Sequence, residues 1–549
     1  MNVRLMHIAL AVFSAVLLSI ALPNPLLPIG AGIFGFFSLA PLFIAIYCAP
    51  SSRWAILYGF IFGLINSLLS NFWLFFYKGF GWVTLGAASL GVGLLCMSVC
   101  AYIFVLRKQR SYCRPLLVCM AWAIYEIGKS NGFLGFPWGL IAYAPYQWPL
   151  FTQILDLTGV VGLSFLMSLC NAVIAEALIA WPVFPWPACQ AHLKLLGALL
   201  AFTFFYSAAH LLFPGKKDRL VNMLLIQQNN DPWNLNDNSL ELYQQTVEQA
   251  LENHYQTFDL IVGSEGILPY PYQQNLMYYD TLLSNEESFS AFVNKIQMLQ
   301  LVGSPLENKE GEQNGVVLLS TTGDVVGSYA KRQMVPFAEY NPLLKNPLGY
   351  WFFDTVVGYP FSWVPGTSNH IFHIPGNDGK EISFGVPICY EDAFGWVGRA
   401  FTLAGSDIFV NVTNDSWSKT VSAETQHLMA ALYRTIENRR PMVRATTSGI
   451  TSYIDTHGRI ASSLPPFVRG SLSVQVPLAS KQGFTLYTLA GEWLTWTFIL
   501  FLHGYLIWYH YVLYGERSWR SLGLFRRALY DAGPFEESQY LTDVLQKYD

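Results

Sequence analysis

Three residues of different chemistry stand where apolar runs end: Glu265 closes "LIVGSEG", Lys331 ends "VVGSYAK", and Cys389 lies in "ISFGVPICYED". In layered α/β folds, the carboxyl ends of strands are where reactive groups collect. An acid, an amine and a thiol placed there can carry out acyl transfer. The thiol attacks a carbonyl and holds the acyl group, the carboxylate takes the thiol proton, and the ammonium stabilises the tetrahedral oxyanion. Each residue also has an ordinary reading. A strand-terminal Glu or Lys is most often a solvated loop residue, and a lone Cys is often a small buried hydrophobe. Their joint occurrence favours the chemistry, although spacing alone does not bring them together.

The elements that would position them follow from residue 219 onward, where short apolar runs alternate with polar, helix-like stretches. "VNMLLIQQN" (221–229) and "FDLIVGS" (258–264) read as strands, and "LELYQQTVEQALENH" (240–254) reads as an amphipathic helix. Further strands are expected at 299–304, 315–321, 325–330, 382–389, 407–413 and 450–454, with a helix at 424–440. The alternation predicts a layered α/β domain over 219–486.

The rest of the chain is of another kind. Hydrophobic residues make up 53% of the 549 and charged residues 12%, against about 25% charged in soluble proteins, and the mean hydropathy is +0.33. Apolar runs of spanning length, about 17–25 residues, occur near 4–22, 27–48, 54–76, 82–106, 155–180, 193–213 and 490–513. A shorter run at 115–130 carries Glu126 and Lys129, which reads as a structural pair near a helix end. Counting it gives eight spans, with 1–218 a membrane domain and 487–549 the last span and tail.

Arg107, Lys108, Arg110 and Arg114 follow the fourth span, and Arg517, Arg520, Arg526 and Arg527 follow the eighth. The positive-inside rule places both clusters in the cytoplasm, hence both termini inside and the α/β domain outside. Seven of the eight cysteines lie in the spans or their connections, and Cys389 stands alone in the α/β domain. No disulfide can form within that domain, and a lone thiol in an oxidising compartment is a candidate for reactivity. The net charge of −4 gives no basic footprint for nucleic acid. The histidines, His427 and His457 among them, show no metal-ligand spacing.

Longer motifs carry a resemblance. The Glu–Lys–Cys order, with "YAKRQMVPFAEY" (329–340) and "ICYED" (388–392), resembles the carbon–nitrogen hydrolase (nitrilase) superfamily. "GFPWGLIAYA" (135–144), "LDLTGVVGLSFLMSLCNAVIAEAL" (155–178), "NVTNDSWS", "ETQHLMAALYRTIENRRPMVRATTSGIT" and "HGR" (457–459) are similar, within it, to the apolipoprotein N-acyltransferase family. The resemblance implies an extracytoplasmic nitrilase-like αββα sandwich on a membrane domain of about eight spans, in a bacterial inner membrane.

It implies Glu265 as general base, Lys331 as oxyanion partner, Cys389 as nucleophile and Glu339 as a second essential glutamate. Tyr390 and Glu391 are then supporting or substrate-binding, and Trp233 approximates a loop tryptophan of the family. It further implies a phospholipid acyl donor, a diacylglyceryl lipoprotein acceptor, no metal or organic cofactor, and a monomer. Two positions depart from the family pattern: Gly263-Ser264 replaces an aromatic-Pro pair before Glu265, and "TTSG" (446–449) replaces an Asn-containing version.

The segment 335–366, rich in aromatics, Gly and Pro, reads either as a lid dipping into the lipid interface or as a packed surface loop. Two other functions stay open: a membrane-tethered amidase with water or ammonia as acceptor, and a transporter or scaffold whose domain only binds lipoproteins.

Overall fold

The computed structural model describes residues 3–77, 80–109, 113–180, 186–231, 238–252, 257–281, 288–358, 360–479 and 483–520. Among these, five helices are long and apolar enough to cross a membrane: Val3–Ala21, Ser52–Ser70, Gly81–Leu106, Leu155–Ala180 and Gln190–Leu212. Helix Arg114–Lys129 has 16 residues, roughly 24 Å at 1.5 Å per residue, short of the ~30 Å hydrocarbon layer. A final helix runs Trp493–Arg520.

The run at 27–48, expected to span, is not one helix. A short 3-10 turn (Gly32–Phe36) precedes helix Ala40–Tyr47. Backbone groups left open by such a break cannot stay unpaired in an apolar setting, and Asn171 meets them. Its Oδ1 accepts from the Leu39 and Ala40 amides at 2.6 and 3.0 Å, and its Nδ2 donates to the Gly35 carbonyl at 2.9 Å.

Helices Ser52–Ser70 and Gly81–Leu106 pack through glycine. A Cβ at Gly59 would lie 2.7 Å from that of Cys100, and one at Gly63 2.8 Å from that of Cys96. This is the small-xxx-small contact that lets apolar helices approach closely. Glu126 is structural, as expected: it accepts from Ser164 Oγ at 2.5 Å, the Ile141 amide at 2.8 Å and Trp122 Nε1 at 3.2 Å. Lys129 donates to the Trp138 carbonyl at 2.6 Å. Both side chains therefore pin the irregular segment 136–143.

Among the described residues the α/β part holds twelve strands: β1 Arg219–Gln227, β2 Leu260–Val262, β3 Gln300–Asn308, β4 Gly311–Leu319, β5 Val325–Ala330, β6 Phe372–Pro375, β7 Glu381–Gly385, β8 Ile408–Thr413, β9 Met442–Thr446, β10 Ser452–Ile454, β11 Ile460–Ser463 and β12 Gly470–Leu478. They form two six-stranded sheets, β12-β1-β2-β3-β4-β5 and β11-β10-β9-β8-β7-β6. Pairing is parallel at β1/β2, β2/β3, β7/β8 and β8/β9, and antiparallel elsewhere.

Side chains alternate across a strand, and β1 shows the layering. Val221, Met223 and Leu225 join the core between the sheets, while Leu224 and Ile226 pack with Tyr243, Val247 and Phe292 of the covering helices. Helix Val421–Asn438 covers the second sheet and also docks on the membrane part. Tyr433 donates to the Ala142 carbonyl at 2.7 Å, Gln426 donates to the Pro23 and Ser70 carbonyls at 2.7 and 2.8 Å, and Arg439 pairs with Asp156 at 2.6 Å beyond its end. Contacts on every side explain why nearly every residue of this helix is buried.

Candidate active site

Glu265, Lys331 and Cys389 do meet. Glu265 follows β2 on a turn that nests against β3, where a Cβ on Gly303 would lie 2.7 Å from the Glu265 Cα. Lys331 comes directly after β5 and is fully buried. Cys389 differs from the expected strand end. Strand β7 stops at Gly385, Pro387 interrupts the ladder, and Cys389 opens a 3-10 turn (Cys389–Ala393) with φ +47. That left-handed backbone is uncommon for a residue with a side chain, and such outliers gather at active sites.

Lys331 Nζ lies 2.7 Å from Glu339 Oε1 and 3.5 Å from Glu265 Oε1. Asn314 of β4, which the sequence did not single out, donates to both carboxylates at 2.7 Å (Glu265) and 3.1 Å (Glu339). The second oxygens are held by backbone amides: Glu265 Oε2 by Asn414 at 2.9 Å and Glu339 Oε2 by Val335 at 2.8 Å. Burial alone would lower the Lys331 pKa, but Glu265 and Glu339 outweigh it and hold the amine well above its ordinary value. Lys331 is thus a fixed ammonium. Burial, reinforced by the Glu265 charge and opposed by Lys331, pushes the Cys389 thiol well up. The resting group is a thiol, and any attack by its sulfur would require the proton to leave in the same step.

Glu391 is fully buried behind the site. Its carboxylate accepts from the amides of Ile388, Arg332 and Gln333 at 2.9, 2.7 and 3.1 Å, and from the Tyr329 hydroxyl at 2.9 Å. It ties the turn after Lys331 to the turn that carries Cys389. Tyr390 stacks on Trp138 at 5.3 Å and donates to the Gly135 carbonyl at 2.5 Å, which anchors the nucleophile turn to the membrane part. Trp233 lies outside the described residues. The two departures from the family pattern touch each other: the Ser264 and Thr447 hydroxyls are 2.9 Å apart, and Gln228 donates to Ser264 at 2.6 Å.

Cys389, Glu265 and Glu339 open on a cavity of about 1650 Å³, larger than the roughly 300–1,000 Å³ of an ordinary small-molecule site. Away from the polar end its walls are apolar. One comes from helix Gly81–Leu106, through Thr84, Ala87, Ala88, Gly91 and Leu95 at helical spacing. Another is the 335–357 segment, where Phe337, Leu348, Trp351 and Phe353 face the cavity. Leu348 is 72% exposed, and Phe133 meets Phe337 and Tyr340 edge-on at 5.6 and 5.8 Å. The segment expected as lid or surface loop therefore lines the cavity and keeps an exposed apolar tip.

An αββα sandwich with an acid, amine and thiol at one end defines a carbon–nitrogen hydrolase domain, and residues 225–484 match the family model described as carbon-nitrogen hydrolase. Residues 14–173 match the model for the N-terminal domain of apolipoprotein N-acyltransferase. The chain is 36% identical over 495 residues to apolipoprotein N-acyltransferase 2 of Treponema denticola, covering 88% of this chain and 93% of that one. It is 34% identical over 503 residues to the Treponema pallidum protein of the same name, covering 85% and 88%. Against apolipoprotein N-acyltransferase of Borreliella burgdorferi it is 31% identical over 506 residues, covering 88% and 92%. The chain belongs to the apolipoprotein N-acyltransferase family and is a membrane acyltransferase.

Proposed function

We propose that the protein takes a fatty acyl group from a membrane phospholipid, holds it as a thioester on Cys389, and passes it to the α-amino group of the N-terminal diacylglyceryl-cysteine of lipoproteins. The observation that carries this reading is one cavity with Cys389, Glu265 and Glu339 at its polar end and long apolar walls elsewhere. Cys389 Sγ attacks the ester carbonyl as its proton passes to Glu265, and the oxyanion faces the Lys331 ammonium. Collapse expels the lysophospholipid, whose oxygen takes the proton from Glu265. The acceptor amine then attacks the thioester, gives its proton to Glu265, and the amide leaves as the thiol reforms. Glu339 and Asn314 hold Lys331 and Glu265 in place, and no metal or organic cofactor enters.

The same reading divides the chain into a membrane domain (1–218), a catalytic domain (219–486) and a last span with its tail (487–549). It places a monomer with eight spans in the bacterial inner membrane, termini in the cytoplasm and catalytic domain in the periplasm. The two basic clusters support that orientation.

The test uses enzyme charged with phospholipid and freed of it. A diacylated lipopeptide should remove the acyl mass from the protein and gain it on its amine, and an N-acetylated peptide should leave the adduct in place. Release of free fatty acid to water, unchanged by the peptide, would overturn the reading in favour of a hydrolase.

The small residues of helix Gly81–Leu106 then line the path of the acyl chain. Neither Gly86 nor Gly91 has an atom within 4 Å of an added Cβ, and only Gly91 faces the cavity. Gly91→Leu is expected to cut use of a sixteen-carbon donor about tenfold or more relative to an eight-carbon donor, the scale at which pockets discriminate by methylenes. Gly86→Leu should leave the ratio as in wild type. Equal losses for both donors in Gly91→Leu would refute the assignment.

A further inference from the structure

Beside Cys389 lies a cluster of charge that the mechanism above does not use. His427, on helix Val421–Asn438, sits between two carboxylates: Nε2 is 2.9 Å from Asp392 Oδ1, and Nδ1 is 2.8 Å from Asp415 Oδ1. Neutral imidazole carries one N–H, so only the imidazolium donates from both nitrogens. The Nε2 hydrogen bond runs to the backbone carbonyl oxygen of Cys389 at 3.3 Å, and Asp392 Oδ1 is met as an ion pair. Arg444 of β9, fully buried, closes the group, with 3.1 Å to Asp392 Oδ2 and 3.3 Å to Asp415 Oδ2. Asp392 is on the Cys389 turn and Asp415 follows β8, so residues of four separate elements meet in one cluster, and its His427 reaches the Cys389 carbonyl. On the membrane side the Trp138 ring lies 5.8 Å from the imidazole.

Charges buried this way seldom gain stability over apolar packing, so a positional role is the stronger explanation. Two cations and two carboxylates balance, and Glu424 beside them is held toward its neutral form by burial and by Asp415. At the sulfur, burial, Glu265 and the opposing Lys331 come first, and of the cluster Asp415 adds a smaller push in the direction of burial. What it does fix is geometry. Cys389 has φ +47, a conformation that a residue with a Cβ keeps only when its surroundings impose it.

We propose that His427 is a positioning residue for the nucleophile: its imidazolium, clamped by Asp392 and Asp415, grips the Cys389 carbonyl and holds the left-handed turn that presents Sγ to the cavity. The proposal rests on Cys389 being the acyl carrier.

The experiment uses full-length enzyme in detergent, comparing wild type with His427→Gln and Asp392→Asn. Two rates are read per active site: alkylation of Cys389 by iodoacetamide, located by peptide mass, and acyl-enzyme formation from phosphatidylethanolamine. Both variants should form acyl-enzyme about 100-fold more slowly, the loss expected from a reacting atom about 1 Å out of place. His427 also borders the cavity, so KM separates the two roles: a residue that acts through the turn should change it less than about threefold. Alkylation should slow in both, and a third variant, His427→Ala, should lose more than His427→Gln, which keeps an N–H for the carbonyl.

A purely structural histidine would lower the unfolding temperature while rates per folded site stay at wild type, and that result overturns the proposal. A raised KM with unchanged kcat overturns it as well, since it would make His427 a substrate contact. If wild type formed no acyl adduct at all, the acyl-transfer reading would fail, while the alkylation arm would still report on the turn.

Discussion

Cys389→Ala is expected to abolish the fatty-acyl mass increment that wild type acquires from phospholipid, and turnover with it. Removing a covalent nucleophile leaves only residual catalysis, a loss on the order of 10⁶-fold in a well-studied hydrolase. Cys389→Ser should fare little better, because burial and the neighbouring Glu265 charge that raise the thiol pKa act on an alcohol that starts as the weaker acid. The other described cysteines, Cys48, Cys96, Cys100, Cys113, Cys119 and Cys170, belong to the membrane part, and none lines the cavity. Intact-mass measurement after incubation with phospholipid decides the matter: an adduct of equal yield on the alanine variant would remove Cys389 from the mechanism. In wild type, neutral hydroxylamine should strip the adduct, as befits a thioester.

Lys331→Met should harm both chemistry and fold. The ammonium is fully buried and is the cation that Glu265 and Glu339 share. Removing it takes away the charge facing the oxyanion, a loss of about 10²–10³-fold in rate for one such donor. It also strands two carboxylates side by side, and breaking a buried pair from one end costs about 3–5 kcal/mol. Thermal unfolding should therefore fall clearly, and Glu339→Gln added to Lys331→Met should recover part of the stability but not the rate. Single-turnover acylation separates the two effects. A Lys331→Met enzyme that forms acyl-enzyme at the wild-type rate would exclude Lys331 from oxyanion stabilisation.

Much of this site was legible because its members end apolar runs. Glu265 and Lys331 stand just after β2 and β5, where the change from Val-rich sequence to a polar residue marks them. Cys389 was found for the same reason, but its backbone was not: Pro387 breaks the ladder two residues earlier and makes a turn of what composition reads as strand. Asn314 and the His427 cluster gave no local sign. Asp392, Asp415, His427 and Arg444 come from four elements, and only the packing of the second sheet against helix Val421–Asn438 joins them.

Strands β6, β9, β11 and β12 were missed because each is short or partly polar and is fixed by its partner, as β12 is by nine aligned pairs with β1. In the membrane part, hydropathy counts composition and not continuity of hydrogen bonding. The run at 27–48 is apolar enough to span, yet Pro28, Gly30 and Gly32 interrupt it, and Gly30 takes φ +71. Partners from elsewhere in the chain make that break tolerable: Tyr146 donates to the Ile29 carbonyl, Ser14 to the Ser38 carbonyl, and Asn171 meets Gly35, Leu39 and Ala40.

Helix Val421–Asn438 has a consequence for any attempt to recombine this enzyme with its relatives. One flank seals the second sheet and the other is seated on Pro23, Ser70 and Ala142, with Asp156 clasped just past its end. The soluble and lipid-embedded halves are thus not interchangeable cassettes. A chimera joined near residue 218 inherits a mismatched seat unless those four partners travel with the helix, and a catalytic half cut free of the bilayer leaves the same flank bare. Inheritance of the two halves is coupled through this one helix.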